Sequence, residues 1–314
     1  MKHCCIIGGT GFIGSHIVNK LISRKRQITV IGRNLSPSRP LPGGVRYVAG
    51  DFGAKHFLMD ILQGVDEIIH LAYLTVPKTS FDDPVHDILT NLPATVVLLD
   101  AADSVGVKKF VLVSSGGAIY GKNCKVPIQE DHPTNPISPY GISKLTAEKY
   151  AKMFNDIKSL PVVCVRPANA YGEGQKPFAE QGFIITAIAS ILRRQNITLF
   201  GKTGTIRDYI HVSDVAEGII SALEHGVPNS CYNIGTGVGR NNSDILAAIY
   251  PFAKSIGLEP QIKRFPLRPF DVPVNILDST KLAKETGWSA EVSFEEGIKR
   301  TWNWCYAKHR NGDL

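Results

Sequence analysis

The sequence predicts an α/β protein that contains a doubly wound parallel sheet and a smaller α/β C-terminal lobe. From Cys4 to about Arg166, short apolar runs alternate with amphipathic helical stretches, which is typical of repeated βαβ units. The runs are apolar at successive positions, as strands covered on both faces require. After Arg166 the chain changes to shorter pieces interrupted by Gly and Pro, which indicates a second lobe.

The predicted elements follow in order along the chain. Strands are expected at residues 4–8, 27–32, 45–49, 66–71, 108–115 and 161–166. Beyond them we expect a helix at 182–194, strands at 197–200 and 206–212, and helices at 213–225, 242–256 and 294–306. We therefore assign residues 1–166 to one domain and residues 167–314 to the lobe, with some return of the chain to the first domain.

Composition and charge exclude several classes of protein. The 314 residues are 43% hydrophobic and 20% charged, which excludes a disordered or coiled-coil chain. A net charge of +7 favours anionic small molecules without demanding nucleic acid. Because no segment has the length of a signal or a membrane span, we expect a cytoplasmic protein without a membrane partner. The scattered cysteines predict buried, reduced thiols and no metal site.

Glycines occupy positions 8, 11 and 14, directly between the first predicted strand and a helical pattern that runs from Ser15 to Leu21. Such glycines let the backbone turn tightly, approach a pyrophosphate and pack the helix against the sheet. The helix N-terminus adds amide donors and the positive end of its dipole. Residues 1–166 are therefore predicted to form a Rossmann-type dinucleotide-binding domain.

The end of the second strand indicates which dinucleotide binds. An acidic residue there would bind both ribose hydroxyls of NAD, but residues 32–36 read GRNLS and contain no carboxylate. The guanidinium of Arg33 suits a 2′-phosphate. We therefore expect NADP(H) as the cofactor, with NAD(H) and a solvated Arg33 as the alternative. Asp51 and Phe52, after the third strand, are expected near the adenine.

Tyr140 and Lys144 lie four residues apart in a predicted helix, so their side chains share one face. A phenolate at neutral pH requires a pKa about three units below 10, which is roughly 4 kcal/mol. An ammonium about 4 Å away supplies roughly that energy at an effective dielectric of about 20. Tyr140 is therefore the candidate proton shuttle for a sugar hydroxyl or ketone, with Lys144 as its electrostatic aid.

Together these motifs resemble the extended short-chain dehydrogenase/reductase family, in its nucleotide-sugar epimerase/dehydratase branch, over nearly the whole chain. Further matching segments are residues 70–72 (HLA), Asn91, residues 166–172 (RPANAYG), residues 207–215 (RDYIHVSDV) and residues 232–237 (YNIGTG). The resemblance implies a nucleotide-diphosphate sugar as substrate. It also implies a homodimer formed by helices near residues 93–105 and 145–154, although core packing explains the apolar residues there equally well.

The expected contacts fall into two sets. Cofactor contacts are expected at Gly8, Thr10, Gly11, Phe12, Ile13, Gly14, Arg33, Asn34, Ser36, Asp51, Phe52, Leu71, Ala72, Asn91, Ser114, Tyr140, Lys144 and Pro167. Substrate contacts are expected at Thr75, Ser115, Gly116, Asn169, Arg207, Arg268 and Asp271. The resemblance implies that Asn169, Arg207 and Arg268 lie near the diphosphate and Asp271 near the nucleoside.

The sequence departs from the family pattern near the reacting centre. Related enzymes usually carry a Ser or Thr where this chain has Gly116, so we expect Ser115 to take over that hydroxyl's role, with Ser114 as the fallback. The Gly117-Ala118 pair replaces the Asp-Glu pair of the 4,6-dehydratases, which speaks against water elimination. Tyr73 stands where a small residue is common and is expected to reshape the sugar pocket.

These observations leave three functions open. The first is an NADPH-dependent reductase acting at C4 of a keto-deoxyhexose nucleotide, for polysaccharide precursor synthesis; Arg33 favours it. The second is a UDP-hexose 4-epimerase with tightly bound NAD. The third is a non-catalytic dinucleotide sensor, against which Tyr140 and Lys144 argue. The sequence alone leads us to prefer the reductase.

Overall fold

The computed structural model describes residues 1–122, 124–179, 181–268 and 271–314. Its strands are β1 (His3–Ile7), β2 (Gln27–Gly32), β3 (Val45–Ala49), β4 (Glu67–His70), β5 (Lys109–Val113), β6 (Val162–Pro167), β7 (Asn169–Tyr171), β8 (Ile197–Phe200), β9 (Ile206–His211), β10 (Cys231–Ile234), β11 (Gly239–Arg240), β12 (Ile262–Phe265) and β13 (Val274–Asn275). Its helices are α1 (Phe12–Ser23), α2 (Lys55–Ile61), α3 (Thr79–Asp82), α4 (Pro84–Ser104), α5 (Pro139–Lys158), α6 (Phe183–Leu192), α7 (Val212–His225), α8 (Asn242–Ser255), α9 (Thr280–Thr286) and α10 (Phe294–Arg310).

Seven parallel strands form the main sheet in the order β10-β6-β5-β4-β1-β2-β3. Successive residues of β1 point to opposite faces, so Cys4 and Ile6 join one hydrophobic cluster while Cys5 and Ile7 join the other. Helices α1 and α7 cover the first face, and α2, α4 and α5 cover the second. This doubly wound arrangement confirms the predicted fold class.

The second half of the chain builds a smaller lobe and also completes the first. Strand β9 pairs with β7, β11 and β13, and β12 pairs with β8. Helices α6, α8 and α10 pack around a separate hydrophobic cluster. Strand β10 and helix α7, however, belong to the main sheet and its covering layer. The predicted boundary after Arg166 falls one residue before the end of β6.

A buried ion pair connects β6, α5 and β10. The guanidinium of Arg166 donates to both carboxylate oxygens of Glu148, at 3.1 and 2.6 Å, and to the hydroxyl of Tyr120 at 2.9 Å. That hydroxyl in turn donates to the side-chain oxygen of Asn233, at 2.7 Å. All four residues are buried. This cluster, which we call the Arg166 node, fixes the base of α5 against the sheet.

Among the helices that the structure describes, none combines the length and the apolar composition needed to cross a bilayer. Within the same ranges, no group of three or more His, Cys, Asp or Glu side chains could hold a metal ion.

Candidate active site

The predicted cofactor residues converge on one edge of the main sheet. Because all seven strands are parallel, their carboxyl ends meet at the same edge, where open α/β sheets bind ligands. Residues of the cofactor set lie at the carboxyl ends of six of these strands. They are residues 8–14 after β1, 33–36 after β2, 51–52 after β3, 71–72 after β4, 114 after β5, and Pro167 at the end of β6. Phe12, Ile13 and Gly14 already lie in the first turn of α1, and Asn91, Tyr140 and Lys144 come from α4 and α5.

The turn between β1 and α1 has the shape of a phosphate cradle. A Cβ on Gly14 would lie 2.2 Å from the carbonyl oxygen of Gly8, and a Cβ on Gly8, which has a positive φ, would lie 2.9 Å from the backbone nitrogen of Ala72. Gly11 is the N-cap of α1, and no described side chain caps that helix. The first-turn amides and the dipole of α1 are therefore available to an anion. These residues fit a dinucleotide pyrophosphate.

The loop after β2 is exposed at Arg33, Asn34 and Ser36. The hydroxyl of Tyr47 donates to the backbone oxygen of Asn34 at 2.8 Å, and Ser38 donates to the backbone oxygen of Thr10 at 3.4 Å. These contacts keep the loop beside the glycine turn. Arg33 is thus placed where an adenosine ribose could be recognised, with a side chain that remains in solvent.

The loop after β3 separates its two predicted residues. Asp51 is exposed, and its carboxylate accepts from the backbone nitrogen of Gly53 at 2.8 Å. Phe52 is buried and packs edge-on against His70, with ring centroids 5.4 Å apart. Phe52 therefore contributes to the wall behind the site.

The loop after β4 is held by α4. The side-chain oxygen of Asn91 accepts from the backbone nitrogen of Leu74 at 2.8 Å, and its amide donates to the hydroxyl of Thr75 at 3.2 Å. Leu71 and Ala72 both donate backbone hydrogen bonds to the carbonyl oxygen of Ile7. The polar contacts of Asn91 are thus made to protein groups, and this residue acts on the site through the loop that it positions.

Tyr140 lies at the start of α5, where the structure brings it together with Ser115. Ser138 caps α5 by accepting from the backbone nitrogen of Gly141, and the Tyr140 backbone nitrogen donates to the hydroxyl of Ser80 at 3.1 Å. Burial raises the pKa of Tyr140 to about 12, a hydrogen bond with the side chain of Ser115 opposes that rise, and the charge of Asp87 adds to it. The side chain of Ser115, the residue before Gly116, therefore lies close enough to the phenol to lower its pKa.

Lys144 is buried against the ring of Tyr73. Its ammonium donates to the carbonyl oxygen of Val113 at 2.9 Å and lies 4.0 Å from the ring centroid of Tyr73, against 5.8 Å from that of Tyr140. Burial lowers the pKa of Lys144 to about 7, although Glu148 and Asp87 oppose the change. In this arrangement burial, Ser115 and Asp87 act on the pKa of Tyr140, and the ammonium of Lys144 lies on the face of a different ring.

Tyr73 forms one wall of the reacting centre. Its ring meets that of Tyr140 at 79°, with centroids 5.1 Å apart, and burial raises the pKa of its own hydroxyl. The sequence marked Tyr73 as unusual. The structure shows that the larger side chain contacts both predicted catalytic residues of α5.

The structure explains why position 116 carries a glycine. A Cβ there would lie 2.4 Å from Cδ1 of Leu277 and 2.8 Å from the carbonyl oxygen of Arg166. The backbone nitrogen of Gly116 donates to Pro167, and its carbonyl oxygen accepts from the side chain of Asn275. The hydroxyl of Ser114 is buried and finds no partner among the described residues. Of the two serines, Ser115 is therefore the one that contacts Tyr140.

Asp87 is a site residue that the sequence reasoning missed. Its buried carboxylate accepts from the hydroxyl of Ser143 at 2.5 Å and from that of Thr75. It lies close enough to Tyr140 and Lys144 to affect the pKa of both. Its position four residues before Asn91, on the same face of α4, was the available signal.

The predicted substrate residues of the lobe form a second cluster. Arg268 donates two hydrogen bonds to the carboxylate of Asp271, both at 2.9 Å, and its guanidinium lies 4.3 Å from the ring centroid of Phe200. The charges of both residues act on Arg207, whose pKa is lowered chiefly by burial. The three residues are thus neighbours, and Asp271 partly neutralises the arginines.

Asn275 links this cluster to the reacting centre. It is the register partner of Arg207 between β13 and β9, and its side-chain amide donates to the carbonyl oxygen of Gly116 at 3.1 Å. On the same side, the side-chain oxygen of Asn169 lies 3.5 Å from the place of a Cβ on Gly117. A molecule with a sugar near Tyr140 and an anionic group near Arg207 would therefore follow a continuous protein surface.

Comparisons with known proteins agree with this geometry. The family model described as NAD dependent epimerase/dehydratase family matches residues 4–235. The chain is 32% identical to the UDP-glucose 4-epimerase of Mycolicibacterium smegmatis over 304 residues, which are 94% of this chain and 96% of that protein.

Two solved structures are similar over almost the full length. A UDP-glucose 4-epimerase with UDP-glucose from Thermotoga maritima has 34% identity and a TM-score of 0.91, with 98% of this chain and 99% of that chain covered. A UDP-glucose 4-epimerase in complex with NAD from Thermus thermophilus has 33% identity and a TM-score of 0.89, with 96% and 98% covered.

Proposed function

Since the chain belongs to the NAD-dependent epimerase/dehydratase family, we propose that it is a nucleotide-sugar 4-epimerase that uses tightly bound NAD. The contact between Ser115 and Tyr140 at the carboxyl edge of the sheet carries the proposal, because it supplies a proton-transfer pair beside the glycine cradle. Relatives named UDP-glucose 4-epimerase support this reading over the reductase that Arg33 led us to prefer. Gly117 and Ala118 leave no acid and base for a dehydratase.

The chain's own residues supply the proton chemistry. When bound, the oxidised dinucleotide supplies a hydride acceptor, which later returns the hydride, and a positive charge. Tyr140 removes the proton of the sugar 4-hydroxyl while C4 is oxidised, and gives it back when C4 is reduced on the opposite face. Ser115 hydrogen-bonds to Tyr140, and Gly116 and Asn169 border the space in which the oxidised sugar turns.

The energy required of Tyr140 sets the role of the nearby charges. Moving a pKa of about 12 to neutrality requires about 7 kcal/mol. One positive charge about 4 Å away supplies about 4 kcal/mol at an effective dielectric of about 20. One such charge falls short of the requirement, so we propose that Lys144 and the cationic nicotinamide, when bound, would act together on Tyr140.

NAD is the better-supported cofactor for this role. The matching family is described as NAD dependent, and a similar solved structure holds NAD. Arg33 remains in solvent and suits either dinucleotide. Mass spectrometry of the nucleotide released from the denatured protein decides this point: NAD is expected, and NADP would restore the original preference.

UDP-hexoses are the substrates we propose. Arg207 and Arg268 are suited to a pyrophosphate, and a similar solved structure was determined with UDP-glucose. In the test, the purified protein converts UDP-glucose into UDP-galactose without added dinucleotide, whereas Tyr140→Phe does not. Consumption of NADPH with a 4-keto-6-deoxy sugar nucleotide, without interconversion of the UDP-hexoses, would establish the reductase instead. Binding of dinucleotide with turnover of neither substrate would indicate a sensor.

We also propose that the enzyme is a homodimer formed through α4 and α5. On α4 the side chains of Val85, Ile88 and Leu89 are exposed, and Leu89 reaches 65%. On α5 the same holds for Ile142 and Ile157. Apolar residues at helical spacing on two adjacent helices are typical of a helix-bundle interface. Leu98 and Leu99, in the segment 93–105 from which the interface was expected, instead lie in the core.

A further inference from the structure

Two thiols face each other near the edge of the main sheet. Cys164 on β6 and Cys231 on the edge strand β10 are register partners between parallel strands. Such partners project from the same face, and neighbouring strands lie about 4.8 Å apart. Each side chain is close enough to shift the pKa of the other, and both cysteines are free thiols. The pair lies outside the proposed active site.

A small surface pocket gives access to this pair. Besides the two cysteines, its lining includes Lys149, Lys152, Asn229 and Ser230. Cys231 is partly exposed, whereas Cys164 is only 6% exposed. A small polar reagent therefore reaches the sulfur of Cys231 first, and that of Cys164 only through it.

The charges around the pocket favour a thiolate at Cys231. The neighbouring thiol of Cys164 lowers the pKa of Cys231, and the charges of Arg166 and Lys281 act in the same direction, while burial and Glu148 oppose them. Lys281 belongs to α9, and its ammonium donates to the backbone carbonyl oxygen of Cys231 on β10 at 3.1 Å. Cys124 is also partly exposed, but burial raises its pKa. The two accessible thiols therefore differ in reactivity.

We propose that Cys231 and Cys164 form a reversible thiol–disulfide site, with Cys231 as the attacking thiolate and Cys164 as the resolving thiol. The oxidant is a low-molecular-weight disulfide. The Cys231 sulfur bonds to one sulfur of the reagent, and the other sulfur leaves as a thiolate. Cys164 then loses its proton to solvent and attacks the Cys231 sulfur, which expels the second thiolate. The cysteines lose two electrons, and the reagent is reduced to two thiols.

The parallel register makes the resulting bond labile. Disulfides tolerate Cα separations of about 4.4–6.8 Å but need Cβ atoms about 3.5–4.5 Å apart. Register partners on parallel strands meet the first condition, and their side chains must lean together to meet the second. Strained disulfides are the readily reduced ones. Cys164 and Cys231 thus suit a switchable bond better than a permanent one.

The experiment uses the reduced, full-length protein and the other accessible thiol as an internal standard. In a brief reaction with limiting iodoacetamide at neutral pH, Cys231 is expected to be alkylated at least about tenfold faster than Cys124, since the thiolate is the nucleophile. Glutathione disulfide is then expected to give a peptide in which Cys164 and Cys231 are linked, and dithiothreitol is expected to cleave it. Mass spectrometry of the digested protein measures both reactions.

Three variants test the assigned roles. Cys164→Ser is expected to accumulate a glutathione adduct on Cys231, because no resolving thiol remains. Cys231→Ser should leave Cys164 unmodified, and the control Cys124→Ser should form the link as the wild type does. The proposal fails if Cys124 reacts as fast as Cys231 in the wild type, or if glutathione disulfide modifies Cys124 without linking the pair. The relative alkylation rates and the formation of the linked peptide are both measured on the wild type, so the test does not depend on the folding of any variant.

Discussion

Replacing Ser115 by alanine tests the arrangement of the reacting centre most directly. The variant removes the hydroxyl that hydrogen-bonds with Tyr140 and leaves the backbone in place. Because Tyr140 becomes negatively charged during the reaction, this hydrogen bond is one to a charged group. We expect Ser115→Ala to slow the chemical step while the protein remains folded.

The magnitude follows from the type of bond that is lost. Hydrogen bonds to charged groups contribute about 1.5–3 kcal/mol, which corresponds to a decrease of roughly 10- to 150-fold in kcat. Moving the hydroxyl to position 116 should not restore activity, because a Cβ there would lie 2.4 Å from Leu277 and 2.8 Å from a backbone oxygen. In Ser115→Ala/Gly116→Ser, overpacking should also lower the free energy of unfolding by about 1–3 kcal/mol.

The assay is the initial rate of UDP-hexose interconversion, together with denaturant unfolding of each variant. Ser114→Ala is the matched control, because the Ser114 hydroxyl is buried without a partner in the described part of the chain, and it should retain wild-type kcat. A Ser115→Ala enzyme within twofold of the wild type would refute the reasoning. So would a double variant that regains activity, since it would show that position 116 has room for a side chain.

Three further variants probe neighbouring features. Asp87→Asn removes a charge that raises the pKa of both Tyr140 and Lys144. Both limbs of the pH profile of kcat/KM should therefore move to lower pH. The control Ser143→Ala keeps the charge of Asp87 and should not move the limbs in that direction. Tyr73→Ala removes the ring beneath Lys144 and should lower kcat about tenfold. Tyr73→Phe keeps the ring and should retain kcat. Equal activity of the two variants would contradict a role of the ring in holding Lys144. Leu89→Glu places a charge on the exposed face of α4 and should give monomers by light scattering, whereas an unchanged dimer would place the interface elsewhere.

The sequence predicted the main sheet well for a physical reason. Strands buried on both faces are continuous apolar runs, so β1, β2, β4, β5 and β6 could be recognised without knowledge of their partners. The edge strand β3 has no buried residue and was recognised from its short apolar run alone. Strand β10 has only four residues, and nothing local to them reveals that they pair with β6. The pairing of a short strand with a distant one could therefore not be predicted from the sequence.

The candidate site shows the same division. The offset between Ser115 and Gly116 was visible in the sequence, but the reason for it, the side chain of Leu277, comes from a distant part of the chain. The four-residue spacing correctly indicated that Tyr140 and Lys144 share a helix face. It could not reveal that the ammonium lies over Tyr73. The spacing therefore identified Tyr140 and Lys144, but the shifts of their pKa values depend on burial, which the spacing does not show.

The Arg166 node has a consequence for biosynthesis. When Arg166 leaves the ribosome, its partners Glu148 and Tyr120 have already been synthesised. Asn233, which accepts a hydrogen bond from the Tyr120 hydroxyl, has not yet been translated. Until then the nascent sheet keeps β6 as an open edge, and chaperones or stray strands could bind there. Native closure thus waits for the lobe to be synthesised, and neither half of the gene should yield a well-folded product when expressed by itself.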